Sequence, residues 1–217
     1  MLNLGLGTPG QPPRRILCLG AHCDDIEIGC GGTVLRLLES HHDCEVYWLV
    51  FSSTPERKRE AEQAADLFLK RAKSKRVIVR DYRDGFLPYS GPAVKDEFES
   101  LKREFSPDLI LTHYRHDLHQ DHRLICELTW NTFRNHLILE YEIPKYDGDF
   151  GSPNFFVELD DRLVEAKLDH LFRAFKSQDG KHWFTKDLFS AVMRLRGMEA
   201  NSATRFAEGF YARKMSF

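Results

Sequence analysis

The segment RILCLGAHCDDIEIGCGGTVLRLLES, residues 15–40, decides the fold of this chain. It opens with a short apolar run, passes through a turn that carries His22, Asp24 and Asp25, and closes with leucines and a valine at the spacing of one helix face. The predicted order is strand, turn and helix. In open α/β sheets, ligands bind just beyond the carboxyl ends of the strands, so this turn is a candidate functional site.

The same alternation continues along the chain. Short β-rich runs predict strands at residues 15–21, 44–51, 76–80, 108–112 and 137–143. Apolar residues at helical spacing predict helices at residues 31–40, 56–71, 94–105, 160–176 and 185–196. Alternation of this kind predicts an α/β fold, namely a Rossmann-like, doubly wound, mainly parallel sheet with helices on both faces.

Length and composition limit the classes of protein to consider. The 217 residues, 42% of them hydrophobic, suit one domain, which we expect at residues 15–217 after a flexible N-terminal segment at residues 1–14. The formal net charge of -2 gives no general attraction to nucleic acid or to an anionic membrane. No apolar run approaches the roughly 20 residues that a membrane span needs. We therefore expect a small-molecule partner, no nucleic acid and no membrane span.

The cysteines indicate the cellular compartment. Their number, five, is odd, and they are scattered along a chain of medium length. This usage favours reduced thiols over a disulfide framework. A cytoplasmic location is the resulting expectation.

A second polar segment, THYRHDLHQDHR at residues 112–123, follows the fourth predicted strand. The residues of interest there are His113, His116, Asp117, His119, Asp121 and His122. The two strand ends can share one crevice, where imidazole and carboxylate groups are suitable ligands for Zn²⁺. A catalytic zinc site uses three protein ligands and leaves one position open. Because the histidines recur at every third residue, spacing alone does not decide which of them binds metal.

The first turn has two other interpretations. The glycines after the acidic pair are typical of phosphate-binding loops, but the Gly-Lys-Ser/Thr and G-x-G-x-x-G patterns are missing, and two aspartates would repel phosphate. Alternatively, Asp24 or Asp25 only caps the following helix. Capping alone leaves the histidine-rich second segment unexplained.

The sequence resembles the LmbE-like, or PIG-L, N-acetylglucosaminyl deacetylases, whose hallmarks are AHPDDxxxGxGGT and DxHxDHR. Both motifs occur here in order, and the resemblance covers residues 15–130 well. Shorter matches are Arg57-x-x-Glu60, Asp84-Gly85-x-Leu87, SPDLILTH at residues 106–113 and AEGF at residues 207–210. Two departures are Cys23 in place of the proline and Phe68-Leu69 in place of Leu-Gly.

The resemblance implies a metal site and a set of roles. Carried over to matching positions, it implies one Zn²⁺ per chain bound by His22, Asp25 and His122. It also implies that Asp24 is the general base, and that His119 stabilises the oxyanion or protonates the leaving amine.

Other residues receive supporting roles. We expect Asp121 to bond His119 and fix its orientation. Arg57 and Asp117 are candidates for substrate binding, each with an ordinary structural role as the alternative. Cys23 is expected to be a neutral turn residue, since adjacent side chains rarely converge on one ion. Asp84 is expected to stabilise the turn that it forms with Gly85. His113 and His116 are expected to be structural.

The implied function is zinc-dependent hydrolysis of the acetamide of an N-acetylated amino sugar, an N-acetylglucosamine-type conjugate, which releases acetate and a free amine. One alternative is a zinc amidase that acts on a non-sugar amide. A second is a non-catalytic metal- or nucleotide-binding module. We expect the group attached to the sugar to contact the C-terminal half. The oligomeric state is not determined by the sequence, although relatives often assemble through this fold and a homo-oligomer would be unsurprising.

Overall fold

A computed structural model of the protein describes residues 12–215. Most of the flexible segment predicted at residues 1–14 lies outside the described residues. The strands are β1 (Arg15–Gly20), β2 (Glu45–Ser52), β3 (Ser74–Tyr82), β4 (Leu109–His113), β5 (Leu137–Tyr141), β6 (Phe155–Leu159) and β7 (Phe206–Ala212). The helices are α1 (Asp25–Ser40), α2 (Pro55–Phe68), α3 (Gly91–Glu104), α4 (Gln120–Thr132), α5 (Asp161–Ala174) and α6 (Lys186–Glu199).

The strands form one seven-stranded sheet in the order β3-β2-β1-β4-β5-β7-β6. Strands β1 to β5 are parallel, whereas β7 runs antiparallel to both β5 and β6. The strand order reverses between β1 and β4, which are neighbours despite the long segment between them. This confirms the predicted mainly parallel, doubly wound sheet and makes the β1/β4 junction its topological switch point.

Strand β1 is buried on both faces because successive side chains of a strand point to opposite sides. Ile16 and Cys18 join the core under α1, α2 and α5. Leu17 and Leu19 join the core under α3 and α4. Helices therefore cover both faces, as predicted, and a strand buried in this way reads in the sequence as a continuous apolar run.

The glycines of α1 permit close packing. A Cβ atom at Gly29 would lie 2.2 Å from the ring of Tyr141, and one at Gly31 would lie 2.6 Å from Phe68. A Cβ atom at Gly32 would lie 2.5 Å from Leu159. The glycine-rich run is therefore explained by the approach of α1 to its neighbours. This agrees with the rejection of a phosphate-binding loop.

A buried ion pair contacts the backbone of α1. Glu208 on β7 accepts hydrogen bonds from the amides of Gly32 and Thr33 at 2.8 and 2.7 Å. It also accepts a hydrogen bond from the ammonium of Lys167 at 2.6 Å. The Lys167 ammonium also donates to the carbonyl of Ile28 at 2.6 Å. In a regular helix that carbonyl would accept from Gly32. The ion pair from the C-terminal half thus fixes the helix that follows the first polar turn.

Several element boundaries differ from the sequence predictions. Helix α1 begins at Asp25 rather than at Gly31, because its polar first turn hides the apolar period. Helix α4 was not predicted, since His119 and its polar neighbours occupy its start. The antiparallel strands β6 and β7 were also missed. Among residues 12–215, no helix is both long and apolar enough to cross a membrane.

We predict that Gly29→Ala lowers the free energy of unfolding by about 1–3 kcal/mol, the usual cost of overpacking a core. Alanine is the better helix former by about 1 kcal/mol, so a net loss isolates the clash with Tyr141. That ring cannot move freely, because its hydroxyl donates to the carbonyl of Leu19 at 2.6 Å. Urea unfolding measures the change, and Gln63→Ala on the exposed face of α2 is the control. A Gly29→Ala variant at least as stable as wild type would contradict the packing argument.

Candidate metal centre

Three side chains meet where β1 and β4 end. His22 lies in the turn after β1, Asp25 is the first residue of α1, and His122 lies in the first turn of α4. His22 Nδ1 is 3.1 Å from His122 Nε2 and 3.3 Å from Asp25 Oδ2, and His122 Nε2 is 3.5 Å from Asp25 Oδ1. The three residues predicted as ligands are therefore brought together. They are largely buried, with His22 the most exposed at 17% of its side chain.

The distal nitrogen of each imidazole faces a buried carboxylate. His122 Nδ1 lies 2.9 Å from Asp117 Oδ2, and His22 Nε2 lies 3.3 Å from Asp121 Oδ2. These contacts assign the distal protons of both rings, which leaves the lone pairs of His22 Nδ1 and His122 Nε2 directed at each other. Carboxylates in this position commonly orient metal-binding histidines.

Two nitrogen lone pairs at 3.1 Å, with a carboxylate beside them, repel one another unless a proton or a cation lies between them. Ligands about 2.0–2.1 Å from a tetrahedral zinc ion lie about 3.3–3.4 Å apart. The two nitrogens are 3.1 Å apart, and the two oxygens of Asp25 lie 3.3 Å from one nitrogen and 3.5 Å from the other, which is close to that spacing. The donor set and its spacing therefore fit a divalent metal ion of the zinc type.

The electrostatics of the cluster favour positive charge. Although burial opposes it, the carboxylates of Asp25, Asp121 and Asp84 raise the pKa of His22 well above its ordinary value. Burial likewise opposes ionisation of Asp25, yet the imidazoles of His122, His113 and His22 hold the pKa of its carboxyl well below the usual range. The cluster thus combines an ionised carboxylate with a strong preference for a cation at His22.

His113 is buried beside this cluster but makes other bonds. Its Nε2 accepts the backbone amide of Ala21 at 2.9 Å and lies 3.3 Å from the Tyr141 hydroxyl. Because that lone pair is already engaged, His113 is a poor third ligand, although it lies 3.2 Å from Asp25. Its contacts agree with the structural role expected for it.

His119 lies at the N-cap of α4, next to the ring of His122. Its Nδ1 accepts the amide of Asp121 at 3.3 Å, so the neutral ring carries its proton on Nε2. Burial and the neighbouring His22 lower the pKa of His119, which keeps the ring neutral. His119 is therefore suited to donate a hydrogen bond from Nε2.

Asp24 lies at the N-cap of α1, but its side chain makes no capping hydrogen bond. Its Oδ2 lies 2.9 Å from the guanidinium of Arg57, which is also 2.9 Å from Glu60. Burial raises the pKa of the Asp24 carboxyl, and the nearby Arg57 charge opposes that increase. The structure thus gives no support to the interpretation of Asp24 as a helix cap. The guanidinium of Arg57 is engaged in ion pairs with Asp24 and Glu60.

The predicted contact of Asp121 differs in the structure. The Asp121 carboxylate accepts the amides of Gly85 at 2.8 Å and Leu87 at 3.1 Å and faces His22, whereas we expected it to bond His119. The backbone of Asp121, rather than its side chain, contacts that ring, because helix capping brings the amide to it.

Asp117, a candidate for substrate contact, is 1% exposed. It lies behind His122, with Oδ1 accepting the amide of His119 at 2.8 Å. Burial in this position keeps its carboxylate away from a ligand in the cleft.

The remaining candidates lie around the cluster. Asp84, on an exposed turn, approaches His22 Nε2 at 3.1 Å. His116 is exposed and stacks edge-on against Tyr114. The Cys23 thiol donates to the carbonyl of Ser52 at 3.4 Å, and burial raises its pKa to about 12. A protonated thiol with this contact agrees with its interpretation as a neutral turn residue.

The cluster opens into a cleft of about 650 Å³, a size typical of small-molecule sites. One side carries Asp24, Arg57 and His119. Another part of the wall comes from the C-terminal half and includes Lys145, Tyr146 and Trp183. Sequence reasoning missed these wall residues, because the loops that carry them show no periodicity and no motif.

Comparison with known proteins adds an independent finding. The family described as PIG-L, GlcNAc-PI de-N-acetylase, matches residues 17–133. The diacetylchitobiose deacetylase of Thermococcus kodakarensis is 27% identical over 135 residues, which is 56% of this chain and 50% of that protein. The match thus spans about half the length of this curated relative.

Solved structures share the fold. The N,N'-diacetylchitobiose deacetylase of Pyrococcus horikoshii, complexed with its inhibitor MPG, superposes with a TM-score of 0.73 at 22% identity, covering 96% of this chain and 86% of that one. GalB, the 4-carboxy-2-hydroxymuconate hydratase of Pseudomonas putida KT2440, superposes with a TM-score of 0.72 at 16% identity, covering 94% and 98%. Because a deacetylase and a hydratase share this architecture, function must be argued from the site.

We predict that the protein binds one divalent metal ion per chain and that His22→Ala and His122→Ala each lose it. Cys23→Ser should keep the metal, because the thiol is bonded to the Ser52 carbonyl. Element analysis after zinc loading and gel filtration measures the stoichiometry. Full occupancy in both histidine variants, or loss in Cys23→Ser, would show that the ligands are misassigned.

Proposed function

Because this chain belongs to the GlcNAc-PI de-N-acetylase (PIG-L) family, we propose that it is a zinc-dependent N-deacetylase that hydrolyses the acetamide of an N-acetylated amino sugar. The products are acetate and a free amine. The observation that carries the proposal is the convergence of His22 Nδ1, His122 Nε2 and the Asp25 carboxylate at the floor of the cleft.

In this proposal, His22, Asp25 and His122 hold one Zn²⁺, with Asp121 and Asp117 orienting the two imidazoles. When bound, the ion polarises the acetamide carbonyl and lowers the pKa of a water molecule. Each ring thus offers one nitrogen to the metal and bonds a carboxylate through the other.

Asp24 is the proposed general base. It lines the cleft beside the ligand set, its side chain is free of capping bonds, and burial raises its pKa toward the range that suits proton transfer. Arg57 is then a positioning residue, since its ion pair with Asp24 limits the orientation of the carboxylate. This assignment replaces direct substrate anchoring by Arg57.

His119 is the proposed hydrogen-bond donor to the amide oxygen as negative charge develops there. Its neutral ring donates from Nε2, and donors fixed in this way stabilise the oxyanion of amide hydrolysis. The lowered pKa supports hydrogen-bond donation more than full proton transfer to the leaving amine.

The size of the cleft bears on the size of the substrate. The cleft has room for more than the acetamide, so we propose that the substrate carries a further group beyond the sugar, which contacts Tyr146 and Trp183.

Residues 15–217 act as one domain, because β1 to β7 form one sheet. We propose a cytoplasmic location, because all five cysteines are free thiols. We also propose that the protein assembles into a homo-oligomer.

The direct test is acetate release from a panel of N-acetylglucosaminides, together with non-sugar acetamides, after zinc loading. The proposal expects acetate and amine in equal amounts from at least one sugar. Turnover of non-sugar amides alone would assign a different amidase activity. Zinc binding without turnover of any amide in the panel would favour a non-catalytic module.

We predict that Asp24→Asn lowers kcat by about 10²- to 10⁴-fold, the usual contribution of a positioned base, while zinc stoichiometry stays at one. The amide preserves the size of the side chain and the contact with Arg57 but accepts no proton. Asp81→Asn, a cleft carboxylate without a proposed role, is the matched control. Near-normal kcat in Asp24→Asn would assign the base elsewhere.

We predict that His119→Ala lowers kcat by about 10²- to 10³-fold with a smaller change in KM and no loss of zinc. His119→Asn restores a capping side chain for α4 and separates any stability effect from the loss of the donor. His116→Ala is the control within the same loop. Loss of zinc in His119→Ala together with retention in His122→Ala would reverse the two roles.

A further inference from the structure

Lys145 lies on the cleft wall, in the loop that follows β5, and its ammonium is held by two carboxylates. Its Nζ is 2.9 Å from Asp117 Oδ2 and 2.6 Å from Asp149 Oδ1. The Lys145 side chain is 14% exposed, and the two carboxylates are 2% and 6% exposed. An ion pair this enclosed is screened little by solvent.

One carboxylate oxygen links this lysine to a proposed metal ligand. Asp117 Oδ2, which accepts from Lys145, is also 2.9 Å from His122 Nδ1. Lys145, Asp117 and His122 thus form a continuous chain from the cleft wall to the floor. None of the motifs that define the family resemblance contains Lys145.

A second contact ties the same loop to the segment before α4. Asp149 Oδ2 accepts the amide of Leu118 at 2.6 Å, while Asp149 Oδ1 receives Lys145. Leu118 is adjacent to Asp117 in the chain. The two loops are therefore cross-linked through one ammonium and one backbone amide.

We propose that Lys145 is a positioning residue that couples the cleft wall to the metal ligand His122 through Asp117, an inference that rests on the proposed function for its catalytic meaning. Without the ammonium, the carboxylates of Asp117 and Asp149 keep their amide and imidazole donors but lose the cation that they share, and an uncompensated buried charge is costly. The wall then separates from the floor, and the Asp117 carboxylate is no longer fixed behind the imidazole of His122.

The test compares Lys145→Met, Lys145→Arg and Asp149→Asn. The first should weaken zinc binding about 10- to 100-fold, the effect typical of losing a partner that orients a ligand, and should speed amide hydrogen exchange at Leu118 and Tyr146. Lys145→Arg keeps the charge and should restore most of both. Asp149→Asn should speed the exchange while leaving zinc affinity within about threefold, because the link from Lys145 to Asp117 remains.

Zinc affinity is measured by competition with a chelator, and no substrate is needed. Lys75→Met, which removes an exposed lysine paired with Asp66 at 2.6 Å, is the matched control. Should Lys145→Met fail to fold, the double variant Lys145→Gln/Asp149→Asn removes the ammonium together with one of the opposed charges and should show the same loss of affinity.

Wild-type zinc affinity in Lys145→Met, or in the double variant where the single one does not fold, would overturn the inference. An equal loss in Lys75→Met would overturn it as well. If the affinities change as expected but no amide is hydrolysed, the coupling stands and the proposed function fails, so the two failures are distinguishable.

Discussion

The lone pairs of His22 Nδ1 and His122 Nε2 point toward each other at 3.1 Å beside the Asp25 carboxylate, in a largely enclosed space. Such an arrangement is unstable without positive charge between the groups, and much of the surrounding structure serves to maintain it. Parallel pairing of β1 with β4 brings the two loops to the same edge of the sheet. Buried carboxylates behind both rings then fix which nitrogen faces inward.

The C-terminal half supports this arrangement from a distance. Lys167 and Glu208 hold the middle of α1, whose first residue is the proposed ligand Asp25. Tyr141 packs against Gly29 and bonds the carbonyl of Leu19 near the end of β1. The family match ends at residue 133, so Lys167, Glu208 and Tyr141 lie outside the matched region. The second half thus contributes to the centre through packing and ion pairs.

The sheet and the convergence of His22, Asp25 and His122 at its carboxyl edge could be predicted from the sequence because each has a local signature. Buried parallel strands appear as short apolar runs, and the polar turns directly after them identify the carboxyl edge. Partners that are distant in sequence have no such signature. The contact of Asp121 with His22 spans 99 positions, and its alternative, His119, was closer in the chain and chemically reasonable. Lys145 was missed for the same reason, and α4 because its capping histidine conceals the helical period.

The most direct test of the central claim is an anomalous diffraction map at the zinc edge from crystals of the zinc-loaded protein. We expect one peak within bonding distance of His22 Nδ1, the Asp25 carboxylate and His122 Nε2, with His113 and His119 outside that distance. Among the described residues, three other groups of side chains are close enough to hold a cation: His22 with His119 and His122, Asp25 with His113 and His122, and His22 with Asp84 and Asp121. A peak bound by Asp84 and Asp121 through His22 Nε2, or one that includes His113 or His119, would contradict the proposed ligand set.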